Sequence, residues 1–332
     1  MTGLTRGSWV LLILWVPGLS SGSAAASTRS PIHSVVTFGD SWSDAGSFGT
    51  IYGTTPGSSW SQLLARTYGD DQTAYLFAAE GKPIQILGGL NYAQGGSKTA
   101  TPAKAGAAED SIPHSAAVQI QNHLKTHKQL LADQLVVLWT GCNDILRPFR
   151  DDSSAELTPD QLILNSEQGG SSAPYAAAER SIRKAVSDEV KLVQLLLSNG
   201  AQRIAVINIV DRGCQPNTTP AGVRSASHLT TLYNKSLATE LPRDSRVLLI
   251  DADAILARAA EDHSAAGFRH LTEDACGNKA AVCGPTDYVE PDASQSYMFA
   301  GFGHLTEHTR RLLAKSVGKE VDARWPSTPP PH

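Results

Sequence analysis

Apolar positions along the chain recur in two rhythms. Short apolar or β-branched runs at 34 to 38, 84 to 87, 135 to 139, 203 to 210 and 246 to 250 read as buried strands. Between them lie stretches with apolar spacings of three and four. The clearest predicts a helix from Tyr175 to Ser198, with Ile182, Val186, Val190, Val193 and Leu197 on one face and Asn199-Gly200 as its stop. A second carries Ile120, Leu124 and Leu131; a third begins after His304 and includes Leu313 and Val317. Strand and helix alternating in this way predict a parallel sheet covered on both faces, with ligands beyond the carboxyl ends of the strands.

Two stretches break the rhythm. Residues 98 to 115 and 150 to 174 are too long for simple connections, and each follows an expected strand end, at the border of any site there. A seven-residue echo, 267 to 273 against 301 to 307, has nothing repeating around it and does not signal a solenoid. No domain boundary interrupts the pattern between residues 27 and 322, which are expected to form a single domain.

The ends have a different composition. Arg6 precedes an apolar stretch from Trp9 to Val16, Pro17-Gly18 follows, and Ala24-Ala25-Ala26 offers small residues for cleavage. Residues 1 to 26 therefore read as a secretory signal and the mature chain as an extracellular protein. A membrane anchor would need about 20 apolar residues, more than this stretch supplies. Residues 323 to 332, ending in Pro329-Pro330-Pro331-His332, read as a disordered proline-rich tail. The sequons Asn217-Thr218-Thr219 and Asn234-Lys235-Ser236 fit a eukaryotic export route.

Composition then narrows the function classes. With 332 residues, 41% hydrophobic and 18% charged, the chain can bury a substantial core, and a net charge of −4 without a basic cluster argues against a nucleic-acid partner. Oxidising surroundings favour disulfides for the four cysteines. Cys276 with Cys283 is the favoured pair because the loop between them is short; Cys142 and Cys214 remain, and three pairings stay open. The helix-spaced histidines His123/His127 and His304/His308 lack the further ligands of a zinc site, and the first two read as a solvated helix face. No metal or organic cofactor is implied, and no signal for an oligomeric state is present.

Chemistry concentrates at strand ends. Phe38-Gly39-Asp40-Ser41-Trp42-Ser43-Asp44-Ala45 places Ser41 where a strand gives way to a turn. A serine hydroxyl becomes a useful nucleophile only when a base takes its proton and fixed donors receive the oxyanion. Asn91-Tyr92-Ala93-Gln94-Gly95-Gly96-Ser97 and Thr140-Gly141-Cys142-Asn143-Asp144 offer glycine N–H groups and an asparagine amide, and His304 offers a base. No Gly-x-Ser-x-Gly is present, which argues against an α/β-hydrolase elbow.

Taken in order, these blocks resemble the GDSL esterases and lipases, or SGNH hydrolases, in their secreted, eukaryotic, fungal-like form. The resemblance spans about residues 34 to 317. It implies a three-layer α/β/α sandwich with a central parallel five-stranded sheet, the flavodoxin-like SGNH hydrolase fold. It further implies Ser41 as nucleophile, oxyanion donors from the Ser41 N–H, Gly96 (with Gly95 the close rival) and Asn143, and His304 as base. Asp211-Arg212-Gly213-Cys214-Gln215-Pro216 and Gly267-Phe268 with the two following cysteines resemble further family segments.

The last block departs from the family. Where the family has Asp-x-x-His-Pro-Thr, this chain has Gly301-Phe302-Gly303-His304-Leu305-Thr306. An aspartate in that place fixes the imidazole tautomer and stabilises its cation. Its replacement leaves three readings: a backbone carbonyl, water or anion holds His304; a distant acid such as Asp287 or Asp292 serves; or the chain is a catalytically impaired glycan- or lipid-binding module. The favoured expectation is the first, in a secreted serine esterase acting on short-chain or acetyl esters of carbohydrate, or on lipids.

Overall fold

A computed structural model of the chain describes residues 31–327 apart from 80, 105, 147–172, 217, 219–222 and 278–279. The expected signal segment, the Asn217 sequon position, nearly all of the 150 to 174 stretch and the last five residues lie outside it. Strands β1 (Ser34–Gly39), β2 (Gln134–Trp139), β3 (Ile204–Ile207) and β4 (Val247–Ile250) form a parallel sheet in the order β1-β2-β3-β4. Mostly β-branched and aliphatic residues fill β1, β2 and β3, with Thr37 and Gln134 as buried polar exceptions, because both faces are covered.

The pleat sorts these residues into two cores. Val35, Leu135, Val137, Ala205 and Ile207 meet Trp60 and Leu64 of α1 (Trp60–Thr67), Leu256 of α6 (Ala252–Glu261) and Leu313 and Val317 of α7 (Glu307–Arg324). Val36, Phe38, Val136, Leu138 and Val206 meet Ile120 of α2 (Ala116–His127), Ile182, Val186 and Val193 of α4 (Ala173–Ser198) and Tyr233 of α5 (Val223–Glu240). A short helix, α3 (Cys142–Leu146), follows β2 directly. The architecture is the expected α/β/α sandwich.

The fifth strand differs from expectation. Residues 84 to 87 are not buried: Ile84, Ile86 and Leu87 are 52%, 62% and 55% exposed, and Gln85–Ile86 pairs with Leu76–Phe77 in a small antiparallel hairpin. The edge beside β1 belongs to residues 90–94. Thr37 N–H donates to Leu90 O at 3.0 Å, Tyr92 N–H to Thr37 O at 2.8 Å and Gln94 N–H to Gly39 O at 3.1 Å. Gly89 allows this offset, since a Cβ there would stand 2.2 Å from Thr73 O. The sheet thus has four strands rather than the expected five, and the second expected run is replaced at its edge by residues 90–94, bridged to β1 at Asn91.

Three other expectations change. α2 ends at His127, with Lys128 at φ 69°, so Leu131 lies beyond it and is 51% exposed. His123 is not on a solvated face: it is fully buried between Phe38 and Tyr92, ring centroids 5.8 and 5.4 Å away, and burial pulls its imidazole down to about 4. α7 runs through Arg324 and Trp325 packs on the core, so the ordered chain continues past residue 322. Cys276 and Cys283 are disulfide-bonded, whereas Cys142 and Cys214 are free thiols. The Asn234 side chain is committed to the fold, its amide bridging the N–H and C=O of Ile209 at 3.0 and 2.7 Å. No described helix is long and apolar enough to cross a membrane.

Candidate active site

Ser41 sits one turn beyond β1. The backbone wraps around Asp40, whose C=O accepts from the N–H groups of Ser43 and Asp44 at 3.0 and 3.1 Å, while its carboxylate accepts from Trp42 N–H at 3.0 Å. Gln119 of α2 holds the strand end, accepting from Gly39 N–H at 2.8 Å and donating to Gly39 O at 2.9 Å. A buried amide that forms both bonds leaves the turn little freedom.

His304 precedes α7, whose N-cap, Thr306, accepts from Thr309 N–H. Its Nε2 lies 3.0 Å from Ser41 Oγ and its Nδ1 lies 3.0 Å from Gly301 O. A carbonyl can only accept, so Nδ1 carries the proton and Nε2 receives the serine hydrogen. Gly301 O also accepts from the His304 backbone N–H at 3.1 Å, closing a turn through Phe302 at φ 54° and Gly303 at φ 73°. Of the readings for the missing aspartate, the backbone carbonyl is the one the geometry bears. The two distant acids are engaged elsewhere: Asp292 pairs with Arg269 at 2.8 Å, and Asp287 accepts from Gly284 N–H at 3.3 Å.

The glycine pair divides its work. Gly95 N–H donates to Asp44 Oδ2 at 2.9 Å, and that carboxylate also receives the N–H groups of Gly46 and Ser47 and the Ser47 hydroxyl. Gly96, at φ 83°, has no hydrogen-bond partner for its N–H among the described residues, and neither has Ser41 for its own. Flanking N–H groups at Ser43, Asp44, Gly95 and Ser97 are all engaged, so two open donors stand on the two loops that carry the nucleophile and the glycine pair. Asn143, at the start of α3 and nearly buried, donates to Ser97 O at 2.9 Å; its remaining contact, to Asp40 Oδ2, is long at 3.4 Å and easily exchanged for a substrate oxygen. The structure thus brings Ser41 and His304 into contact, places Gly96 and Asn143 on neighbouring loops joined through Ser97, and commits the Gly95 N–H to Asp44.

Electrostatics suit a neutral base. Burial pulls the His304 imidazole down to about 4; the Gly301 carbonyl favours the cation, and Arg212 and Arg310 oppose it. Burial pushes the Asp40 carboxyl up to about 7, against the Trp42 hydrogen bond. The 98 to 115 stretch does border the site: Thr99 N–H and Oγ1 bond Asp144 Oδ2 at 2.9 and 3.0 Å.

Sequence reasoning missed one neighbour. Tyr52 stacks on His304, with ring centroids 5.1 Å apart and planes at 27°. The sequence signal for it is the double glycine, because a Cβ on Gly95 would stand 2.1 Å from the Tyr52 hydroxyl. Gly95 is small so that Tyr52 can lie over it.

The chain is similar to known proteins over most of its length. The family described as GDSL-like Lipase/Acylhydrolase matches residues 35–317. A phosphatidylcholine-sterol acyltransferase of Aeromonas hydrophila is 28% identical over 203 residues, 59% of this chain and about half (52%) of that protein's length. GDSL esterase/lipase 6 of Arabidopsis thaliana is 24% identical over an alignment covering 95% of this chain and 94% of that one. Among solved structures, an acetyl xylan esterase is 14% identical, covering 86% of this chain and 98% of its own, with a TM-score of 0.40.

Proposed function

The chain belongs to the GDSL-like lipase/acylhydrolase family, and on that premise we propose that it is a secreted serine esterase that cleaves carboxylic esters through an acyl-enzyme. The observation that carries this is the unbroken chain of hydrogen bonds from Ser41 Oγ through His304 to Gly301 O, each 3.0 Å long. Ser41 Oγ attacks the ester carbonyl while His304 Nε2 takes its proton. The Ser41 and Gly96 N–H groups and the Asn143 amide receive the charge on the tetrahedral oxygen. His304 then gives its proton to the leaving alcohol, and water repeats the sequence to release the acid. Short-chain acyl or acetyl esters, on carbohydrate in the first instance, are the proposed substrates, with lipid esters the alternative. Export is supported by the apolar leader before Ala26 and by the Cys276–Cys283 disulfide.

The test is hydrolysis of p-nitrophenyl acetate, butyrate and palmitate by the mature protein beside Ser41→Ala. Turnover of acetate and butyrate well above palmitate, lost in the variant, is the expected result. Equal rates for the two proteins on all three esters would leave a binding role instead.

A further inference from the structure

Replacing the usual aspartate by a carbonyl solves one problem and leaves another. Gly301 O fixes the tautomer and direction of the His304 ring as a carboxylate would. It carries no full charge, however, so although it favours the imidazolium that forms when the Ser41 proton arrives, it does so less than an ionised carboxylate would. The charged groups acting on this ring, Arg212 on the turn after β3 and Arg310 on α7, both disfavour that cation.

Tyr52 is held against the other face of this problem. A buried Arg310 donates through Nη1 to Tyr52 O at 2.8 Å and through Nη2 to Thr54 O at 2.6 Å, while Glu307 N–H donates to Thr54 Oγ1 at 2.8 Å. Gly53, at φ 111°, lets this segment press on the loop after His304: a Cβ there would stand 2.1 Å from Leu305 O. Gly95 supports the ring from below, tied in turn to Asp44. Burial keeps the Tyr52 phenol neutral at any working pH, pushing it up to about 12. The result is a neutral aromatic ring stacked at 5.1 Å on His304, with its backbone held by Arg310 and Gly95 beside the ring.

We propose that Tyr52 is a positioning residue whose ring face stabilises the imidazolium of His304, standing in for the charge that the family's aspartate supplies. An aromatic face attracts a cation within about 6 Å of its centroid, and more strongly where water is excluded. The role belongs to the ring and not to the hydroxyl. It rests on the serine-esterase reading and deepens it, since during turnover the cation arises when His304 takes the Ser41 proton.

The experiment compares Tyr52→Phe, Tyr52→Leu and phenylalanines carrying one, two and three ring fluorines at position 52, each in the mature protein on p-nitrophenyl acetate. Tyr52→Phe should keep kcat within about twofold. Tyr52→Leu, which still covers the imidazole but has no π face, should lower kcat about 3- to 30-fold with little change in KM and move the acid limb of kcat/KM to lower pH. Fluorines withdraw electron density without changing the ring's shape, so log kcat should fall stepwise with their number even if the leucine variant folds poorly. A kcat independent of fluorination, or a leucine variant equal to the phenylalanine variant, overturns the proposal. Ser41→Ala in the same assay separates the two levels. Its loss of turnover beside a flat Tyr52 series refutes only the role of Tyr52, whereas full turnover in Ser41→Ala refutes the esterase reading beneath it.

Discussion

His304 in this protein is oriented by a peptide carbonyl. Nδ1 needs an acceptor in the ring plane, and Gly301 O supplies one at 3.0 Å without the desolvation cost of a buried carboxylate. The native site is therefore already satisfied where the family has its acid. Gly301→Asp should leave kcat on p-nitrophenyl acetate within about threefold of wild type or lower it, because the buried carboxylate adds a charge to a place with no spare donor on the ring. A rise of tenfold or more would show that the carbonyl is an inferior partner. The same scale explains the glycine pair: one N–H is spent on Asp44 and one stays open, a distinction fixed by side-chain contacts that a Gly-Gly dipeptide does not disclose.

At the scale of elements, the site is assembled by loops at the ends of β1 and β2, the 94–97 loop and the start of α7. The α7 contribution depends on Arg310, which is 1% exposed and ties the helix to Tyr52 and Thr54. Arg310→Met should destabilise the fold by about 3 kcal/mol in urea unfolding, since a buried carbonyl at Thr54 and a half-buried one at Tyr52 lose a charged donor. The blocks around Ser41 and Asn143 stand out in the sequence because each couples a β-branched or aliphatic run to glycine and polar residues at a strand end. Tyr52 was not, because its place is set by a residue 258 positions away and by no local period. The 84 to 87 run misled for a related reason: hydrophobicity alone does not tell a sheet edge from an exposed hairpin, and the shift to residues 90–94 is set by how closely Gly89 approaches Thr73. His123 carried the polarity of a surface residue, but the rings of Phe38 and Tyr92 enclose it.

Over the whole molecule, several carboxyl groups are buried where the ionised form is disfavoured. Burial pushes Glu189 up to about 8, Asp40 up to about 7 and Asp144 up to about 6. A carboxyl raised in the folded state contributes stability that is present below its unfolded pKa and lost as pH rises through the folded one. Depressed histidines act in the opposite sense below pH 6.5, so the window governed by the carboxyls lies above it. The melting temperature should fall between pH 6.5 and 8.5. Glu189→Gln, which keeps an acceptor for the Tyr233 hydroxyl, should flatten that fall in scanning fluorimetry. An unchanged slope would place the ionised Glu189 in a more polar setting than its complete burial indicates.

Ser41, served by a histidine with no acid behind it, is the proposed activated nucleophile. Its most direct test is covalent labelling of the mature protein by an organofluorophosphonate, with the modified peptide mapped by mass spectrometry. Stoichiometric adduct on Ser41 is expected in wild type and Gly301→Asp, and little or none in His304→Ala. Absence of adduct on Ser41 in the folded wild-type protein would contradict it.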